Sequence, residues 1–226
     1  MTKPETVLIT GASAGIGLSL AQAWLGRGDR VLALQRRASP LSGRPRFQEV
    51  RADLAELEAL PERVRELSNG VRELDRVVLN AAVAAPLRDL ADTPLSDLRR
   101  LMDINTWANK LILDALYGSG VRIRQVVGIS SGAAVRGSRG WNGYSLSKAA
   151  FVMLIQLYAA ERPETHFCSL MPGIVQTKMQ DDLCSLGADE RRKFPAVERL
   201  LAAFDRALAE PSGSLLDLRK LTASGG

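Results

Sequence analysis

The sequence predicts one α/β domain: a doubly wound, mostly parallel sheet of about seven strands with helices on both faces. Two observations carry that expectation. Short β-rich runs alternate with long amphipathic runs along the whole chain, which is the pattern of strands joined by crossover helices. The first β-rich run then ends in a glycine-rich turn, Thr10-Gly11-Ala12-Ser13-Ala14-Gly15-Ile16-Gly17, that opens directly into a helical stretch.

The expected strands are Thr6–Thr10, Arg30–Gln35, Phe47–Arg51, Arg76–Asn80, Gln125–Ser130 and His166–Met171, with Ser214–Leu218 as a short edge strand. The expected helices are Gly15–Arg27, Leu54–Leu67, Pro94–Tyr117, Tyr144–Glu161 and Ala196–Leu208. No repeat, low-complexity tract or linker divides the chain, so residues 1–226 are read as a single domain, with a substrate loop around 176–195. In such a fold ligands sit beyond the carboxyl ends of the strands, and function is sought there.

Composition narrows the class. With 226 residues, 46% hydrophobic and 24% charged, the chain is long enough for one substantial core. Two cysteines, Cys168 and Cys184, do not make a disulfide scaffold. No apolar run approaches the roughly 18 residues of a membrane span. The amino terminus runs into a strand without a signal-like segment, so a cytoplasmic protein is expected, with no membrane partner. The net charge of +5 is spread over single and paired basic residues without interleaved aromatics, which argues against nucleic acid. One histidine, His166, and two distant cysteines provide no metal-ligand spacing, so no metal is expected and His166 reads as structural.

Glycines at the end of a first strand permit a tight turn and close approach of backbone to a pyrophosphate. The helix that follows offers free N–H groups to the same anion. The turn therefore reads as a dinucleotide site of the Rossmann kind. After the second strand, Gln35 is followed by Arg36-Arg37 where an NAD site places a carboxylate. Arginine suits a phosphate by charge and by its planar fork of donors, so NADP(H) is the expected cofactor. Further on, Tyr144 and Lys148 are four apart and share one helix face. An ammonium beside a phenol favours the phenolate. Tyr144 can then act as proton donor or base towards a carbonyl while Ser131, ending the fifth strand, orients the same oxygen.

The spacing G-x-x-x-G-x-G resembles the short-chain dehydrogenase/reductase family, and the likeness recurs down the chain. Asp53-Leu54 is similar to the family's adenine-contacting pair, and Leu79-Asn80-Ala81-Ala82 to its N-N-A-G segment, with Leu79 and Ala82 as departures. Asn105 matches the helix asparagine of the catalytic tetrad. Ser131, 13 residues before the tyrosine of Tyr144-Ser145-Leu146-Ser147-Lys148, completes that tetrad. Pro172-Gly173-Ile174-Val175-Gln176-Thr177 resembles P-G-x-x-x-T. The resemblance implies cofactor contacts from Gly11, Ser13, Gly15, Ile16, Gly17, Arg36, Arg37, Asp53, Leu54, Asn80, Ala81, Tyr144, Lys148, Pro172, Gly173, Val175 and Thr177. It also implies that Lys148 binds the nicotinamide ribose and that Asn105 holds a water relaying protons.

Ser130-Ser131-Gly132-Ala133-Ala134, Gly140-Trp141 and Lys148-Ala149-Ala150 are most similar to the sepiapterin reductase and benzil reductase branch. The implied activity is NADPH-dependent reduction of a ketone or diketone carbonyl on a small hydrophobic substrate. Ser131, Trp141, Tyr144, Ile174 and Met179 are the expected substrate contacts. One alternative is a pterin carbonyl reductase, with Asp217 where sepiapterin reductases anchor the pterin; another is a non-catalytic NADP-binding sensor or scaffold. The apolar helices Pro94–Tyr117 and Tyr144–Glu161 resemble the family's four-helix contact, implying a homodimer or homotetramer.

Overall fold

The computed structural model describes residues 3–173 and 197–218. Seven strands form one sheet: β1 (Thr6–Thr10), β2 (Arg30–Gln35), β3 (Phe47–Arg51), β4 (Glu73–Leu79), β5 (Arg122–Ile129), β6 (His166–Met171) and β7 (Ser214–Asp217). Their spatial order is β3-β2-β1-β4-β5-β6-β7, and every neighbouring pair is parallel. The order reverses between β1 and β4, which creates the crevice at the carboxyl ends of these two strands. The helices are α1 (Gly15–Gly26), α2 (Leu60–Leu67), α3 (Leu95–Met102), α4 (Ala108–Gly118), α5 (Asn142–Glu161) and α6 (Val197–Ala207). None of them is long and apolar enough to cross a membrane.

Parallel strands covered on both faces carry continuous apolar runs, here Val7–Ile9 in β1, Val31–Leu34 in β2 and Val126–Ile129 in β5. Leu8, Leu32, Val77 and Val126 face α2, α4 and α5; Ile9, Ala33, Val78 and Val127 belong to the opposite layer with α1 and α6. Trp24 of α1 stacks on Phe204 of α6, with ring centroids 6.1 Å apart. Two missing methyl groups set how closely α5 sits. A Cβ on Gly128 of β5 would lie 2.7 Å from Phe151 Cζ, and one on Gly143 would lie 2.6 Å from Leu98 Cδ2.

Three sequence expectations are corrected here. Strands β4 and β5 start three residues earlier than Arg76 and Gln125, because Glu73 and Arg122 stand opposite each other in register and pair at 2.5 Å. Asn80 and Ser130 lie just past the strand ends. The helix expected at Leu54–Leu67 begins only at Leu60, after a 3₁₀ turn at Leu57–Ala59. The helix expected at Pro94–Tyr117 is broken into α3 and α4 by a π turn at Asp103–Trp107.

Candidate active site

The glycine turn between β1 and α1 is locked by the end of β4. Thr10 Oγ1 accepts from the backbone N–H groups of both Asn80 and Ala81, each at 2.9 Å. The Asn80 amide donates to the carbonyls of Thr10 (2.9 Å) and Gly11 (3.2 Å). A side chain at Gly17 would put its Cβ 2.1 Å from Gly11 O, and Gly11 and Gly15 both have positive φ, at 78° and 56°. The first turn of α1 carries no acidic residue, and its N-cap, Ala14, supplies no side-chain bond. Its amides and positive dipole end therefore fit the pyrophosphate of a dinucleotide. Ser13 and Ile16 sit half-buried in the same turn.

The Arg36 guanidinium, more than half exposed, lies 3.6 Å from Asp53 Oδ2. The two residues that the sequence assigned to different parts of the cofactor thus meet across the ends of β2 and β3. Together with Arg51, Glu56, Leu60 and Arg63 they line a cleft of about 310 Å³. Arg37 is exposed and Leu54 is buried. Ser39, which the sequence did not single out, donates to Ala12 O at 2.9 Å and ties the segment after β2 to the glycine turn.

Ser131 follows β5 and caps a 3₁₀ turn, its Oγ accepting from Ala133 N at 3.2 Å. Tyr144 and Lys148 occupy successive turns of α5. Burial pushes the Tyr144 phenol up from its ordinary value, and the nearby Ser131 side chain pulls it back. Lys148 is 3% exposed, and its Nζ donates to Ile129 O at 2.8 Å. Burial lowers its pKa to about 8. Nζ lies 5.9 Å from the Tyr144 ring centroid. The lowering of the phenol by Lys148 that the sequence predicts is therefore opposed by burial of both groups. A buried cation without a paired carboxylate among the described residues fits an anionic, hydroxyl-rich ligand.

Asn105 lies in the π turn, 1% exposed, and its side chain is fully engaged. Oδ1 accepts from Val83 N at 2.8 Å, and Nδ2 donates to Val83 O at 2.8 Å and Ser147 Oγ at 3.0 Å. Ser147 Oγ donates in turn to Tyr144 O at 2.9 Å, and its own carbonyl accepts from Thr106 Oγ1 at 3.0 Å. The asparagine amide thus bolts the segment after β4 to the turn of α5 that carries Tyr144. The Asn105 backbone carbonyl accepts from Asn109 Nδ2 at 2.9 Å.

Trp141 packs against Tyr144 with ring centroids 5.7 Å apart. It also lines a largely apolar cavity of about 400 Å³ with Leu90, Ser145 and Leu146. The loops after β4 and β5 are clasped by Arg139, which donates to both Asp89 oxygens at 2.8 and 2.7 Å, and by Asn142 Nδ2 on Arg88 O at 2.8 Å. Pro172 is buried and Gly173 is exposed with φ 77° at the end of β6. Ile174, Val175, Thr177, Met179 and the loop 176–195 lie outside the described residues. Asp217 closes β7 opposite Met171. His166 sits at the other end of the sheet, with Nε2 2.9 Å from Glu210 O.

A glycine turn at the switch point of a parallel sheet, with a Ser-Tyr-Lys set on the next strand and helix, defines a nicotinamide-nucleotide oxidoreductase. Comparison with known proteins agrees: the short chain dehydrogenase family model matches residues 5–185, and the chain belongs to the short-chain dehydrogenase/reductase family. An uncharacterised oxidoreductase of Schizosaccharomyces pombe is 32% identical over 189 residues, covering 79% of this chain and 74% of the relative. A Bacillus subtilis benzil reductase forming (S)-benzoin is 28% identical over 207 residues, covering 86% and 83%. Among solved structures, a candidate NAD(P)-dependent gluconate 5-dehydrogenase from Beutenbergia cavernae, holding NADP at low occupancy, superposes with a TM-score of 0.78. It is 25% identical and covers 95% of this chain and 94% of its own.

Proposed function

We propose that the protein is an NADPH-dependent carbonyl reductase acting on a ketone or diketone with apolar substituents. The observation that carries this reading is the grouping of Ser131, just past β5, with Tyr144 and the buried Lys148 on successive turns of α5. When bound, the nicotinamide supplies the hydride. Ser131 orients the carbonyl oxygen, and Tyr144 gives it the proton. Lys148 favours loss of that proton once its charge is retained beside the anionic nucleotide. Gly11, Gly15 and Gly17 admit the pyrophosphate, Asn80 and Ala81 hold the turn that receives it, and Arg36 reads a 2′-phosphate.

An apolar substrate is supported by Trp141 beside Tyr144 and by Leu87, Leu90 and Val135, which are exposed on the segments after β4 and β5. It is supported too by the likeness to benzil reductases. The test is a panel of ketones, vicinal diketones and pterin carbonyls with NADPH and with NADH. Turnover of aryl diketones with NADPH is the expected result; preference for the pterin would move Asp217 into the substrate site, and cofactor binding without any turnover would make the protein a sensor. A homodimer or homotetramer is part of the same proposal. Exposed Trp107 beside α4 and Leu146, Met153 and Leu157 on α5 present an apolar surface for a second copy. Light scattering tests it, and a monomer at micromolar concentration contradicts it.

A further inference from the structure

The cleft at the ends of β2 and β3 holds a cation that the steps above do not use. Of its arginines, Arg36 lies 3.6 Å from Asp53, and Arg63 of α2 donates to Glu66 at 3.0 Å. Arg51, the last residue of β3, is exposed and makes no ion pair or side-chain hydrogen bond among the described residues. The acid that shares its face of the strand, Glu49, is already taken. It accepts from Gln35 Nε2, from Ser39 N at 3.1 Å and from Ser42 Oγ at 2.7 Å. Glu56, the other acid of the cleft besides Asp53, pairs with none of the three arginines among the described residues. Arg51 thus has no partner to give up.

Two contacts tie this place to the glycine turn. Gly11 N donates to Leu34 O at 2.9 Å, and Ser39 Oγ donates to Ala12 O at 2.9 Å. Arg51 stands opposite Gln35 in register, and Arg36 follows Gln35, so the two cations leave neighbouring strands about 4.8 Å apart. We propose that Arg51 is a specificity-determining residue for the nucleotide, sharing with Arg36 the recognition of a 2′-phosphate. The inference deepens the NADPH reading above and rests on it. A phosphate near neutral pH carries more than one negative charge and offers several acceptors, so it can engage two guanidinium groups. Arg36 must exchange a carboxylate for it, whereas Arg51 exchanges only water. A nucleotide without the phosphate leaves Arg51 facing solvent and gains nothing from it.

Adenosine 2′,5′-bisphosphate and adenosine 5′-monophosphate differ only in the 2′-phosphate, and calorimetric titration of both requires no turnover. Arg51→Gln keeps most of the side-chain length and removes the charge; Arg51→Lys keeps the charge and removes the planar fork. Arg51→Gln is expected to weaken the bisphosphate about fivefold and leave the monophosphate near wild type. Its melting temperature should not move, because the side chain is exposed. Arg51→Lys should restore part of the loss, and in the double variant Arg36→Ala/Arg51→Gln the two probes should bind alike. A wild-type preference for the bisphosphate in Arg51→Gln, or equal losses for both probes, overturns the proposal. Preference kept in Arg51→Gln and lost in Arg36→Ala assigns the phosphate to Arg36 alone, which overturns the role of Arg51 and leaves the NADPH reading standing. An unmodified protein that binds the two probes alike overturns both.

Discussion

The crevice has two sides held by different means. On the β1–β4 side, short buried contacts end on backbone: Thr10 Oγ1 joins two amides of the neighbouring turn, and Gly17 packs where no Cβ fits. On the side of the loops after β4 and β5, exposed side chains do the holding, with Arg139 on Asp89 and Asn142 on Arg88. In the proposed function the first side receives the nucleotide and the second meets the substrate; the exposed pairs of the second side contribute little to stability.

Four changes probe that contrast. Tyr144→Phe removes the hydroxyl where the two sides meet, and kcat should fall by about 10²–10⁴ with NADPH affinity retained. Steady-state kinetics and fluorescence titration check this, and more than a tenth of wild-type turnover would exclude Tyr144 as proton donor.

Lys148→Met should stabilise the empty protein while destroying activity. The folded pKa of Lys148, about 8, lies below its ordinary 10.5, so the unfolded chain binds more protons between these values. The penalty of the buried charge is thus full below pH 8 and relieved as pH rises towards 10.5. Chemical denaturation should find Lys148→Met more stable at pH 7 by about 1–3 kcal/mol, after the lost bond to Ile129 O is offset, with the gap closing by pH 10.5.

Arg36→Ala should weaken NADPH about tenfold and leave NADH nearly unchanged. The effect sits at the low end for a charge-assisted bond because Arg36 must leave Asp53 to reach a phosphate. Equal losses for the two nucleotides, measured by titration, would show that Arg36 does not discriminate between them. Smallest of all, Arg139→Ala opens the clasp on the second side. KM for a bulky ketone should change about twofold, with melting temperature and cofactor affinity unchanged; a loss of NADPH affinity would mean that the two sides are not independent.

The side built from backbone was legible in the sequence, because glycine spacing and strand-helix alternation report backbone geometry directly. The Ser131, Tyr144 and Lys148 set was legible for a related reason, as helix spacing alone brings the last two together. Asn105 was found, but not what its side chain does: a helical pattern contains no sign that the amide reaches Val83 across 22 positions. The same contact accompanies the π turn, which periodicity read as uninterrupted helix. Thr10 and Ser147 were overlooked although each stands inside a quoted motif, since a hydroxyl next to a glycine or a lysine has many ordinary uses. The clasp between Asp89 and Arg139 joins loops 50 residues apart and leaves no local trace.

Gly128 acts at a distance from the chemistry. Because its missing Cβ lets the Phe151 ring rest on β5, it sets the height at which α5 rides above the sheet. Tyr144 and Lys148 are carried on that helix, whereas Ser131 is carried by the strand. The vertical gap between the phenol and the serine hydroxyl is therefore gauged two turns away, by a methyl group that is not there. A single added carbon would tilt the helix like a shim under one end of a beam, leaving every reacting group present and out of alignment.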